Sequence, residues 1–258
     1  MAETRGVAPK LPLPTEAGRK TVKISVFNGS PRGRTSNTHL IVEPLLEGAR
    51  QAGAETQEVF LAEKDIKHCL GCFSCWARTP GQCVHNDDMK SLMGLFLDSD
   101  YVGFGTPVYG MFMTALLKAF TERLLPLNTP HIHREEDGRF YHEGREKRFP
   151  RVFMIANAGF PGEHNFDLFR EYMALQNPVL EVYRNCGEIL RNRDMVASPE
   201  AQKRISAFYE ALRDAGSEIV NFGQVSAETV VRIHEKLMDD EEYMALVNQG
   251  WDEDLKKG

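Results

Sequence analysis

The segment Gly29-Ser30-Pro31-Arg32-Gly33-Arg34-Thr35-Ser36-Asn37-Thr38 combines small residues, hydroxyls and guanidinium groups between a β-branched run and an amphipathic stretch. At such a strand-to-helix turn an anion meets free backbone N–H groups, the positive end of a helix, the hydroxyls of Ser30, Ser36 and Thr38, and a guanidinium such as that of Arg32. The segment is neither G-x-G-x-x-G nor G-x-x-x-x-G-K-[ST], which points away from a Rossmann dinucleotide loop and from a Walker loop. The plainer alternative is a capped turn with a solvent-facing arginine. Thr106-Pro107-Val108-Tyr109-Gly110-Met111-Phe112 offers backbone polar groups and apolar walls suited to a planar ring, or else a hydrophobic loop that closes the core. Asn157-Ala158-Gly159-Phe160-Pro161-Gly162 is a third loop of this kind.

Four of the five cysteines crowd into Cys69, Cys72, Cys75 and Cys83, too few for a disulfide scaffold and too close to be incidental. C-x2-C-x2-C spacing lets three thiolates turn inward around one point, and Cys83 would complete an all-cysteine metal site. Zinc and a structural or redox-active thiol set remain open beside it. Cys186 reads as a small buried hydrophobe, and Asp87-Asp88-Met89 as a helix cap. His131, His133 and His142 lie in a charged stretch without a His-Glu-x-x-His pattern and read as surface residues. Trp76 reads as a packing residue, and of Met111 and Met113, two apart at a helix start, at most one can line a ring.

These segments can act together only if the fold brings them to one edge. Val22 to Phe27 reads as a strand, followed by a helix from Thr35-Ser36 that stops at Gly53 and is flawed by Pro44. The alternation continues with strand Glu55 to Leu61, helix Asp87 to Leu97, strand Tyr101 to Gly105 and helix Phe112 to Leu125. Strand Val152 to Ala156, a helix from Phe166 to Tyr172 and beyond, strand Glu188 to Arg191 and a long helix from Pro199 to about Ile219 complete it. Five strands alternating with helices predict an α/β, doubly wound, five-stranded parallel sheet with helices on both faces, because right-handed crossovers cover each face in turn. Ligands of open α/β sheets bind outside the carboxyl ends of the strands, where strand order reverses, and all three loops fall there.

Residues 1–20 read as a mobile N-terminal arm and 21–222 as the domain, with a cysteine loop at 69–83 and a charged excursion or hairpin at 131–150. Residues 223–258 read as a C-terminal helical extension that packs on the domain or on a second subunit. The formal charge of −6 over 258 residues argues against nucleic acid as a partner. The chain has no apolar run of about 18 residues and no signal-peptide core, so the expectation is a soluble, cytoplasmic protein without a membrane partner.

Gly29-Ser30-Pro31-Arg32 with Ser36-Asn37-Thr38, then Pro107-Val108-Tyr109-Gly110, then Gly159-Phe160-Pro161, resembles the flavodoxin-like NADPH-dependent FMN reductase superfamily over about residues 21 to 195. The resemblance implies that Ser30, Arg32, Ser36, Asn37 and Thr38 hold the FMN phosphate. It also implies that Pro107, Val108, Tyr109, Gly110, Met111 and Phe112, with Asn157, Gly159 and Phe160, hold and wall the isoalloxazine. A strand order of 2-1-3-4-5 and a homodimer or homotetramer, with flavins near subunit boundaries, follow from the same likeness. The cysteine spacing is similar to that of the iron-sulfur flavoproteins, a branch in which a compact cysteine motif binds a [4Fe-4S] cluster beside FMN; there Cys69, Cys72, Cys75 and Cys83 would be the ligands.

The resulting expectation is an FMN-dependent oxidoreductase that takes hydride from NAD(P)H and passes electrons to a quinone-like, nitro or other small acceptor, with no side chain required as acid or base. The alternative is an iron-sulfur flavoprotein that carries electrons between a ferredoxin-type donor and an acceptor. A thiol-based sensor or metal-binding module that borrows the fold is the third reading.

Overall fold

The computed structural model describes residues 21–191, 196 and 198–257; the N-terminal arm expected at 1–20 lies outside them. Along the chain, β1 (Lys23–Asn28) leads into α1 (Asn37–Gln51), then β2 (Glu55–Phe60), the single turn α2 (Ser74–Ala77), α3 (Met89–Asp98), β3 (Tyr101–Pro107) and α4 (Ala115–Glu122). A hairpin of β4 (Asn128–Arg134) and β5 (Phe140–Gly144) follows, then β6 (Arg151–Asn157), α5 (Asp167–Ala174), β7 (Glu181–Arg184), the single turn α6 (Glu188–Arg191), α7 (Pro199–Phe222), α8 (Ala227–His234) and α9 (Asp240–Leu255).

The sheet is parallel throughout, in the order β2-β1-β3-β6-β7. This is the 2-1-3-4-5 order predicted, with the hairpin set aside as a separate two-stranded sheet. Period-two alternation divides the strand side chains between two layers. In β6, Phe153 and Ile155 join Ile24 and Val26 under α1 and α7. Val152, Met154 and Ala156 join Phe27, Val102 and Phe104 under α3, α4 and α5. Full burial of such a side chain contributes about 1.5–3 kcal/mol, so a slip of one residue in any central strand would reverse both cores.

Helix starts follow local chemistry. Ser36 accepts from His39 N–H, Thr114 from Leu117, Ser198 from Ala201 ahead of Pro199, and Asp239 from Glu241 and Glu242. Helix α1 runs through Pro44 to Gln51. Helices α1 and α7 cross at glycines: a Cβ on Gly48 would lie 1.9 Å from the Arg213 carbonyl oxygen, and one on Gly216 would lie 1.9 Å from that of Leu45.

One strand differs from the sequence expectation. The fifth core strand is Glu181–Arg184, and Glu188–Arg191, expected as that strand, is a helical turn. The charged excursion is the β4–β5 hairpin. The C-terminal helices close over the β7 side of the sheet. Arg184, 2% exposed, donates to the Glu235 carbonyl at 3.0 Å and to that of Ile233, both at the end of α8. It makes no salt bridge among the described residues, and burial pushes its pKa down to about 10. No helix among the described residues is long and apolar enough to cross a membrane.

Candidate functional site

Strand β1 pairs with β2 on one side and β3 on the other, so connections leave it in opposite directions and open a crevice at the carboxyl edge. The three predicted loops are stitched together there. Gly29 N–H donates to Gly105 O at 2.7 Å, and Thr114 Oγ1 donates to Gly29 O at 2.7 Å, fixing the first loop to the start of α4. Asn157 Nδ2 donates to Thr38 Oγ1 at 2.8 Å, while Asn157 O accepts from Val108 N–H at 2.8 Å. Asn157 therefore spaces the first loop from the second. A Cβ added to Gly33, Gly110 or Gly159, one glycine from each loop, would meet nothing within 4 Å. The space in front of all three loops is open.

In the first loop, the Ser36 hydroxyl accepts from His39 N–H at 3.0 Å and donates to Gly33 O at 2.7 Å, so it serves as helix cap and turn closure. The Asn37 and Thr38 amides, ahead of any intrahelical acceptor, lie at the positive end of α1. Ser30 is buried, its amide held by Asn28 Oδ1 at 2.8 Å. Asn28 is held in turn by Glu58 Oε1 at 2.7 Å, and Glu58 Oε2 meets His39 Nδ1 at 2.6 Å. The hydrogen bond to this carboxylate raises the His39 pKa above its ordinary value. Arg32 and Asn37 already share an anion: Glu188 Oε1 lies 3.3 Å from Arg32 Nη1 and 3.2 Å from Asn37 Nδ2. The buried Asn37 Oδ1 has no partner among the described residues.

The second loop turns back on itself through paired bonds between Tyr109 and Phe112, with φ +56° at Gly110 and +69° at Met111. Positive φ at both central residues explains the glycine and leaves Met111 strained. Tyr109 and Met111 project into solvent, Met113 is buried, and Phe112 is half-buried against Phe169 and Tyr172. Phe112 thus anchors the loop from behind, with Pro107 buried and Val108 half-buried beside it. Phe160 of the third loop is 73% exposed.

A fourth loop, Asn185–Glu188, belongs to the same edge and was missed by sequence reasoning because the strand before it was misplaced. Gly187 N–H donates to Ala158 O at 2.9 Å and Cys186 N–H to Phe160 O at 3.3 Å. The available signal was Val182-Tyr183 followed by Asn185-Cys186-Gly187, a short β-prone pair before turn residues. A cleft of about 890 Å³ lies behind this edge, between Gly162, β7 and α8. Its lining mixes Arg170, His234 and Lys236 with Glu163, Glu181 and Asp240, and it meets the edge loops at Gly162 and Asn185.

The four cysteines share the predicted loop. Cys75 is buried at α2 and Cys72 exposed, while Cys69 and Cys83 are intermediate. Burial pushes the Cys75 thiol up, and charge on Cys83, Cys69 and Cys72 adds to this, so Cys75 lies within electrostatic reach of the other three. Bonds from Ser74 pull Cys72 down. Yet no three His, Cys, Asp or Glu side chains among the described residues converge as a metal cage. Positive φ at Gly71 and Phe73 turns the backbone between successive cysteines, leaving Cys72 outside and Cys75 inside. Cys69 and Gly71 instead face a cleft of about 460 Å³ beside Leu124 and Leu125.

Asp87 accepts from Met89 N–H at 3.2 Å, as a cap would, but its larger role is a buried two-point pair with Arg123 at 2.6 and 3.0 Å. Trp76 is the expected packing residue, donating to Leu125 O at 3.2 Å and tilted against His142. His131 and His133 lie on the outer hairpin.

Residues 22–137 match the family of NADPH-dependent FMN reductases. An iron-sulfur flavoprotein of Archaeoglobus fulgidus is 38% identical over 98 residues, 38% of this chain and 43% of that protein. One from Methanosarcina thermophila is 33% identical over 102 residues, 40% of this chain and 52% of that protein. The chain thus spans about half the length of these relatives. Among solved structures, an FMN-dependent NADH-azoreductase from Bacillus anthracis in complex with FMN superposes with a TM-score of 0.54 at 14% identity, covering 78% of this chain and 100% of that one. An NAD(P)H:quinone oxidoreductase from Methanothermobacter marburgensis gives 0.53 at 14% identity, covering 77% and 97%. At these identities the two structures bear on the fold, which is flavodoxin-like.

Proposed function

Proceeding from a chain whose residues 22–137 match the NADPH-dependent FMN reductase family, we propose that it is an FMN-dependent NAD(P)H oxidoreductase acting on a quinone-like, nitro or other small acceptor. The observation that carries this reading is the convergence of three loops on one open edge, an anion-seeking helix start at one end and exposed aromatic and thioether side chains at the other. The donors fit a phosphate: two first-turn amides, a helix dipole, and the Arg32 and Asn37 side chains that already hold a carboxylate.

Bound FMN supplies hydride acceptance and electron transfer at its ring system. The chain's own residues do the rest. The Asn37 and Thr38 amides and Arg32 hold the phosphate, and Asn157 keeps the phosphate loop and ring loop in register through Thr38 and Val108. Tyr109, Met111 and Phe160 wall the ring and exclude water from it. Backbone groups near Gly110 and Gly159 have room to approach the ring, where donors tune its charge.

The test is the visible spectrum and NAD(P)H oxidation of anaerobically purified protein supplied with FMN. Twin flavin bands and sustained NAD(P)H oxidation with a quinone support the reading; a chain that retains no FMN refutes it.

A second reading, an electron carrier with a cysteine-bound cluster, is favoured by the likeness to iron-sulfur flavoproteins and by the placing of Cys75 within electrostatic reach of the other three thiols. It requires the loop to draw its sulfurs together, and it predicts bound iron and sulfide with little NAD(P)H oxidation.

A further inference from the structure

The C-terminal helices lie beyond the matched segment, yet one of their side chains reaches the carboxyl edge. Tyr243 of α9 is 2% exposed, and its phenol donates to the Gly159 carbonyl at 2.6 Å. The fourth loop lies alongside, its Gly187 and Cys186 amides donating to Ala158 O at 2.9 Å and Phe160 O at 3.3 Å, and Cys186 shares the apolar cluster of the Tyr243 ring. The phenol therefore stands between the third loop and the fourth, and the fourth in turn holds Arg32 and Asn37 through the Glu188 carboxylate. Its ring belongs to the apolar cluster of Cys186, Ile189, Leu237 and Met238, so the hydroxyl is delivered from a packed base. The Gly159-Phe160 stretch has little packing of its own, with open space over Gly159 and Phe160 largely in solvent.

We propose that Tyr243 is a positioning residue of the flavin site: the C-terminal extension sets the place of the ring-facing third loop through this phenol. The inference rests on the FMN reading above. Losing the hydroxyl removes one hydrogen bond to a loop that must be ordered when the ring binds. A neutral bond of this kind corresponds to roughly 3- to 10-fold in affinity.

The test compares Tyr243→Phe with Thr229→Ala in the full chain. Thr229 of α8 is 2% exposed in the same extension, outside the cluster that holds the phenol, and its hydroxyl donates to Glu218 Oε1 at 2.7 Å, so truncating it loosens the extension where it joins α7. FMN titration, followed by flavin fluorescence, is expected to show binding weakened roughly 3- to 10-fold in Tyr243→Phe, with altered emission of the bound flavin and nearly unchanged helical content. Thr229→Ala is expected to lower the unfolding midpoint more, yet leave FMN affinity within about twofold. Unchanged FMN affinity in Tyr243→Phe, or equal weakening in both variants, overturns the assignment. A wild-type chain that binds no FMN overturns the flavin reading itself, and this inference with it.

Discussion

Replacing Arg123 with methionine is expected to detach the cysteine loop from α4 at a large cost in stability. The Arg123 and Asp87 side chains are each 1% exposed. Their two bonds, at 2.6 and 3.0 Å, are joined by one from Arg123 to the Lys67 carbonyl at 2.5 Å. Asp87 also accepts from the Lys67 amide at 3.0 Å, so both ends of the segment 67–87 are gathered at one point. Arg123→Met leaves that carboxylate buried with only amides for partners, which costs about 3–5 kcal/mol, or roughly 6–20 °C in unfolding midpoint at this chain length.

Urea unfolding followed by circular dichroism measures the loss, and the labelling rate of Cys75 by a thiol reagent reports local opening. The double variant Asp87→Leu/Arg123→Met, apolar at both ends, is expected to recover most of the stability, since removing both charges avoids the uncompensated one. The pair also predicts acid sensitivity. Against the opposing effect of burial, the pair together with the Lys67 and Met89 amides holds the Asp87 carboxyl at about 2, below the ordinary 3.8, so the contribution of the ionised carboxyl is present above about pH 4 and is lost as pH falls toward 2. That contribution is about 2 kcal/mol. A loss under about 1 kcal/mol in Arg123→Met, or a double variant no more stable than the single, refutes the argument.

Glu188→Gln is expected to tighten FMN binding by up to about tenfold, because a carboxylate on Arg32 and Asn37 repels an incoming phosphate by the order of 1 kcal/mol; weaker binding in a fluorescence titration would contradict this. The raised His39 pKa means its pairing with Glu58 stabilises the fold fully below about pH 6.5 and ceases to do so as pH rises through the raised value. Urea midpoints from pH 6 to 9 should show this dependence in the wild type and lose it in Glu58→Gln. Gly216→Ala improves helix propensity by about 1 kcal/mol, yet it should destabilise the chain by about 1–3 kcal/mol, since its Cβ would fall 1.9 Å from the Leu45 carbonyl; a raised unfolding midpoint would refute the close crossing.

Sequence patterns reveal most of the sheet because its strands are β-branched and aromatic runs ended by turn residues, as in Ile24 to Phe27 before Gly29-Ser30-Pro31. The last strand fails this test: Glu188-Ile189-Leu190-Arg191 and Glu181-Val182-Tyr183-Arg184 share one pattern, two apolar residues between charged ends, and four residues are too few for a period to separate strand from helical turn. The three edge loops were legible because turn chemistry is local. Glu188 on Arg32, Glu58 between Asn28 and His39, Asp87 on Arg123 and Tyr243 on Gly159 were not, because each joins residues 19 to 156 positions apart. Such pairs are set by packing and leave no spacing to read. The cysteine spacing was visible, but not the turns at Gly71 and Phe73 that divide its sulfurs between solvent and interior.

Arg184 gives the C-terminal helices an unusual fastening. Its countercharge consists of peptide carbonyls at the end of α8 in place of a carboxylate, so the attraction is to dipoles fixed by the helix itself. Among the described residues, Arg184 forms no exposed ion pair for dissolved salt to screen. As ionic strength rises, surface pairs such as Arg32 with Glu188 and Arg232 with Asp214 fade first, while the buried Arg184 keeps the appendage fastened to the sheet with its phenol beside the third loop.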